Sequence, residues 1–192
     1  MFREIESYAL EHNVPIMSSE SIDFISTILA DTHSRSLLEV GTAIAYSTLN
    51  FAHRIDGLLI DTIERDDVRY EEAIKNVKKF SCGSRIHTIH HDALKYRNIK
   101  HYDAILLDAA KAQNEAMFKL YFAFVDKVMI IDNIDFHGFT GHSQEIRSRN
   151  LRQMIQRIES FLTYINSRSD LSVERYDIGD GLMVIKRKST QG

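Results

Sequence analysis

Cysteine occurs once in this chain of 192 residues, as Cys82. A single thiol excludes an intramolecular disulfide, and no CxxC pair exists to build a zinc site. A reducing, cytoplasmic setting is the expectation that follows. Proline also occurs once, as Pro15, and the eight glycines are scattered, so no linker divides the chain. No apolar run approaches the roughly 20 residues needed to span a bilayer, which removes a membrane from the expected partners. The N-terminal stretch MFREIESYALEHNVP carries acids and lacks a signal peptide's apolar core. Positive charge is scarce too: 24 Lys and Arg against 27 Asp and Glu leave a net charge of −3, which speaks against a dedicated nucleic-acid binder. The average conceals a gradient, since residues 1–96 sum to −5 and residues 97–192 to +2. A basic stripe on an acidic chain is a weak electrostatic footprint for a polyanion.

Ordinary globular material fills the rest. The chain is 44% hydrophobic and 27% charged, which excludes wholesale disorder. The expectation is one domain over 1–192, with residues 1–34 as an N-terminal helical cap, and a core that needs no staples. Apolar side chains fall at helical spacing over 2–12 and 20–31, with Ser18 and Ser19 as candidate caps. Short apolar runs at 36–40, 57–63, 85–89, 103–107 and 127–131 read as buried strands. Helical stretches near 45–54, 66–80 and 112–123 separate most of them, and a long helix is expected over 143–166. This alternation predicts an α/β fold with a doubly wound parallel sheet. The runs 171–177 and 182–187 flank IGDG and predict a terminal antiparallel hairpin.

Open α/β sheets bind ligands beyond the carboxyl ends of their strands. After the first strand comes Gly41, where a turn lets a ligand approach the backbone or is simply a tight turn. The second strand ends in Glu64, about 20 residues on, where an acid hydrogen-bonds a ribose in nucleotide-binding folds. Asp66 and Asp67 suit helix caps. The fourth and fifth strands deliver Asp108 and then Asp132-Asn133. A lone strand-end Asp reads as a cap; two such ends on neighbouring strands favour a hard cation such as Mg²⁺. His90 and His91 read as surface histidines, His137 and His142 as either acceptor contacts or exposed groups, and Phe122 and Phe124 as core. Arg147, Arg149, Arg152 and Arg157 read as a solvated helix face or as a contact for an RNA backbone.

The segments LLEVGTAIAYSTL, DTIERDDVRYEEAIKNV, YDAILLDAAKAQNEAMF and IIDNIDFHGF strongly resemble the metal-dependent class I O-methyltransferases, the group of the catechol and caffeoyl-CoA enzymes. VPIM at 14–17 and IGDGLMVIKR at 178–187 resemble a bacterial branch that methylates 5-hydroxyuridine at the tRNA wobble position. The resemblance implies a Rossmann-like, mostly parallel seven-stranded sheet binding S-adenosylmethionine. By motif, Gly41 floors the cofactor pocket, Ser47 faces the methionine carboxylate, Glu64 takes the ribose hydroxyls, Asp92-Ala93 lies against the adenine, and Met17 covers the methionine end. Asp108, Asp132 and Asn133 would hold the metal, and Lys111, beside Asp108, matches the general base. Ala45 stands where a second glycine is usual and is expected to crowd the cofactor turn, and His91 replaces a glycine. The connections before the fifth strand and around 138–145 look shorter than usual.

The function expected is thus a cofactor- and metal-dependent O-methyltransferase with tRNA as acceptor. A small catechol or phenol is the alternative acceptor, and a homodimer is allowed for. A non-catalytic module binding S-adenosylmethionine or RNA is the alternative of another class. Against it stands the intact set Asp108, Lys111, Asp132 and Asn133, for which a mere binder has no use.

Overall fold

The computed structural model describes residues 1–109, 111–135, 140–141 and 143–188, without the side chains at 111 and 145. The chain runs α1 (Arg3–Glu11), α2 (Ser19–Asp31), β1 (Ser36–Val40), α3 (Tyr46–Arg54), β2 (Leu59–Glu64), α4 (Asp67–Lys79), β3 (Ile86–His90), β4 (Tyr102–Leu107), α5 (Asn114–Tyr121), β5 (Val125–Asp132), α6 (Arg149–Asn166), β6 (Leu171–Tyr176) and β7 (Leu182–Arg187). The strands form one seven-stranded sheet in the order β3-β2-β1-β4-β5-β7-β6. Pairings among β1 to β5 are parallel, and β7 runs antiparallel to both β5 and β6. The doubly wound sheet and its antiparallel hairpin are therefore as the alternation predicts.

The apolar runs explain which strands lie at the centre. Leu37, Leu38, Ala104 to Leu107 and Val128 to Ile131 are fully buried, because helices cover both faces of a parallel sheet. On one face lie Met117 and Phe118 of α5 with Ile155, Ile158 and Phe161 of α6. On the other lie Ile22, Ile25 and Leu29 of α2 with Phe51 of α3. None of these helices is long and apolar enough to cross a membrane among the described residues. The winding reverses between β1 and β4, and that switch point opens the crevice in which such sheets bind ligands.

Two expectations are corrected. The long helix does not begin at 143: a short 3-10 turn, Ser143–Glu145, precedes a break, and α6 starts at Arg149. Ser148 is extended and its Oγ accepts the Leu151 N–H at 3.5 Å, while the Arg152 guanidinium donates to the Ile146 carbonyl at 2.9 and 2.6 Å. A capping serine with an arginine latch outweighs helical spacing there. The stretch 112–123 likewise divides into α5 between two 3-10 turns. Within residues 1–34, α1 and α2 pack beside α3, and it is the connection Pro15–Ser18 and Ser21 that reach the crevice.

Candidate active site

Beyond the strand ends lies a cleft of about 650 Å³. Its floor is the turn after β1. Gly41 adopts φ +111°, and a Cβ there would stand 1.9 Å from the Asp108 carbonyl oxygen, so only glycine lets β1 and β4 close at this point. The Gly41 and Thr42 N–H groups both donate to the Ile63 carbonyl, at 3.0 and 3.2 Å.

Glu64 ends β2 and braces the same turn. One carboxyl oxygen accepts the Ala43 N–H at 2.8 Å; the other accepts those of Arg65 and Asp66 at 2.8 and 2.9 Å. Three backbone donors hold it in place, and a carboxylate with about four acceptor positions still has capacity for a ligand. Asp66 caps α4 through the Arg69 N–H, as its spacing predicts. After β3, Asp92 Oδ1 accepts the Leu94 N–H at 3.0 Å, and Tyr121 donates to the Ala93 carbonyl at 2.7 Å. Asp92 and Ala93 line the cleft, and so do Met17, Gly41 and Glu64.

Ser47 does not. It is buried outside the cleft lining and donates its hydroxyl to Glu39 Oε1 at 2.6 Å. Glu39, fully buried, also accepts from Thr48, and from Thr62 at 2.8 Å; Thr62 in turn meets Thr42 at 2.6 Å. Burial pushes the Glu39 carboxyl upward and the charge of Glu64 adds to that, while the three hydroxyls oppose it. The serine hydroxyl proton placed on a ligand carboxylate by resemblance is thus spent on an internal acid. Ala45 departs from expectation as well. Its methyl is fully buried with Ile5 and Leu49 and does not line the cleft; Ala43 does.

The far end of the cleft is oxygen-rich. Asp108 follows β4 and Asp132 closes β5. Asn133 takes a left-handed conformation (φ 61°), which asparagine tolerates, and donates its N–H to Asp132 Oδ1 at 2.7 Å and its side-chain amide to Asp108 Oδ1 at 3.3 Å. The three predicted ligands therefore come together from adjacent strands. Among the described residues no three or more His, Cys, Asp and Glu gather as a metal site; this set is two carboxylates and an amide. Its donors are all of the hard kind that Mg²⁺ takes, so the residues fit the ion.

Lys111 opens a 3-10 turn after β4, and its side chain lies outside the described residues, as do His137 and His142. Sequence reasoning missed several lining groups. Arg65, Arg69 and His91 stand at the Glu64 end, while Ser18 and Ser21 face the cleft from the start of α2 and Asp180 from the β6–β7 turn. His91 is exposed, as read from the sequence, and also borders the cleft. A signal for Asp180 existed: an antiparallel strand beside β5 must begin where β5 ends, which carries IGDG to the ligand side of the sheet.

A family model described as O-methyltransferase matches residues 1–188. The chain belongs to that family. A protein of Arabidopsis thaliana named as a caffeoyl-CoA O-methyltransferase is 25% identical over 175 residues, which is 85% of this chain and 74% of the plant protein. A Staphylococcus aureus structure named in the same way is 29% identical with a TM-score of 0.90, covering 97% of this chain and 91% of that one. An O-methyltransferase from Bacillus cereus, solved with SAH, shares the fold at 21% identity and a TM-score of 0.83, covering 97% and 90%. The family member thus carries out methyl transfer to oxygen on a Rossmann-like sheet.

Proposed function

We propose that this O-methyltransferase moves the methyl group of S-adenosylmethionine to the hydroxyl of 5-hydroxyuridine in tRNA, with a divalent cation at Asp108, Asp132 and Asn133. One observation carries the reading: the cleft changes chemistry in strand order, from Glu64 at β2, past Gly41 at β1, to Asp108 and Asp132-Asn133 at β4 and β5. A ribose acid at one end and an oxygen-rich set at the other suit a nucleoside donor laid along the strand ends, with its reacting methyl toward β4 and β5.

Glu64 would accept the ribose hydroxyls, Asp92 and Ala93 would border the adenine, and Met17 would cover the methionine. Methyl transfer from a sulfonium is an in-line displacement that needs a positioned, deprotonated oxygen. A phenol-like hydroxyl has a pKa of about 10 and is mostly protonated at neutral pH. The cation, when bound, supplies stabilisation of the oxyanion. Lys111 is assigned the proton.

Exposed arginines at and just before α6 support an RNA acceptor. Arg147, Arg149 and Arg157 are exposed, whereas Arg152 is turned to the Ile146 carbonyl. The test is transfer of labelled methyl into tRNA bearing unmethylated 5-hydroxyuridine, beside a catechol panel, with and without chelator. Chelator-sensitive labelling of that tRNA is expected. Turnover of catechols with none into tRNA would replace the acceptor by a small phenol.

A further inference from the structure

Resting on that acceptor reading, we propose that Asp180 recognises the acceptor base by accepting a hydrogen bond from uracil N3–H. The argument begins with strand order. Moving outward from β1, the sheet presents Asp108 at the end of β4, Asp132 and Asn133 at the end of β5, and then the turn that opens β7. Neighbouring strands lie about 4.8 Å apart, so Asp180 is one strand step beyond the oxygen-rich set, on the side away from Gly41 and Glu64. A donor held by Gly41 and Glu64 would leave the β5–β7 side of the cleft to the acceptor.

The turn is held rigidly for such a task. The Asp135 N–H donates to the Asp180 carbonyl at 2.9 Å, and the Ile134 N–H to the Gly181 carbonyl at 3.0 Å. Gly181 takes a φ of +85°, which a side chain would strain, and a Cβ there would sit tightly at 3.0 Å from the Asp135 Cβ. Gly179 (φ +57°) presses on α2, where a Cβ would meet Ser21 Oγ at 2.6 Å. Asp180 is thereby fixed relative to Asp132 and Asn133 through the two residues that follow them, and it lines the same cleft.

The chemistry of the base edge runs in the same sequence. A 5-hydroxyuracil presents the 5-hydroxyl, then the O4 carbonyl, then N3–H. With its two oxygens toward the Asp108, Asp132 and Asn133 end, N3–H is the next group outward, on the side of the cleft that Asp180 lines, and a carboxylate has acceptor capacity for it beyond a single partner. A catechol in that pose offers a C–H, which gains nothing from the acid. Asp180 is thus a device for choosing a uracil over a phenol, made of a group the methyl-transfer step does not use.

The experiment compares the wild-type chain with Asp180→Ala and Asp180→Asn on three acceptors. These are an RNA stem-loop bearing 5-hydroxyuridine, the same RNA with the base methylated at N3, and catechol. Asp180→Ala is expected to lower kcat/KM on the N3–H RNA by about 10–100-fold, the worth of a hydrogen bond to a charged group. The wild-type chain is expected to disfavour the N3-methyl RNA by a similar factor, and Asp180→Ala to treat the two RNAs alike. Asp180→Asn keeps a carbonyl oxygen and is expected to recover most of the loss. Catechol turnover and calorimetric affinity for S-adenosylmethionine should not move. A preference for N3–H that survives in Asp180→Ala overturns the assignment, as does a parallel loss of cofactor affinity in both variants. Wild-type turnover of catechol with no transfer to either RNA defeats the tRNA reading itself, and the role of Asp180 falls with it.

Discussion

Ala45 sits in a left-handed conformation (φ 65°, ψ 27°) with its methyl fully buried. The conformation costs an alanine about 1–2 kcal/mol. Against this stand about 0.8 kcal/mol for the buried methyl and about 0.4–1 kcal/mol for the extra freedom of an unfolded glycine. The terms nearly cancel, so Ala45→Gly should change the unfolding free energy by less than about 1 kcal/mol in urea titration. Gly41 admits no such balance, because a methyl would be driven into the Asp108 carbonyl. Gly41→Ala should lose about 3 kcal/mol or more in the same titration, from overpacking and a strained φ together. Glu39 contributes a pH dependence. Burial first, and Glu64 after it, raise its folded carboxyl above the ordinary 4.5. Its contribution to stability is complete below that unfolded value and is lost as pH rises through the folded one. Glu39→Gln removes this dependence, so its stability relative to wild type should improve as pH rises above 4.5 and level off once the folded carboxyl has ionised. A difference that is flat with pH would show that Glu39 does not titrate between the folded and unfolded states.

At the scale of elements, strand ends divide the labour. Glu64 ties the end of β2 to the turn after β1, and Glu64→Ala should weaken S-adenosylmethionine binding by about 1–3 kcal/mol in calorimetry, since it leaves the Ala43 N–H without that acceptor and would deprive the ribose of its proposed partner. Asp132→Ala should abolish methyl transfer yet leave cofactor affinity largely intact, because in the proposed function the hard-oxygen end would serve the acceptor oxygen. Chelation of the wild-type chain should reproduce that loss, with recovery on adding Mg²⁺. That these residues gather at one end of the sheet was legible beforehand. The apolar runs marked the strands, and the residues after them supplied Gly41, Glu64, Asp108, Asp132 and Asn133. What was illegible depended on contacts between segments far apart in the chain. Ser47 looked available until Glu39 was seen beneath it. The break before α6 hinges on an arginine reaching back six residues, which periodicity does not register. Asp180 passed as turn chemistry because nothing local says that its turn abuts Asp135.

Over the whole molecule, charge is the unevenly distributed quantity. The chain is net negative, and its basic residues collect in the second half, with Arg147, Arg149 and Arg157 exposed around α6. Neutralising these three should flatten the salt dependence of tRNA binding and raise KM for tRNA, while a free phenol should be turned over as before. Arg152→Ala should behave differently, destabilising the start of α6 in hydrogen exchange, because its guanidinium closes the break.

The place of β7 in the sheet also dictates how the molecule can be put together. β7 lies between β5 and β6, although β6 precedes it along the chain. A nascent polypeptide that has reached residue 176 carries β6 with no neighbour to join, and the edge of β5 stays open until residues 182–187 arrive to fill the gap. The hydrogen-bonding row along Met129 to Asp132 is therefore bare during the last steps of synthesis, a template for wrong pairing with another chain. The end of β5 that lines the cleft acquires its outer wall in the same closing event. A chain cut short within this hairpin should accumulate as aggregate rather than as an enzyme with a damaged pocket.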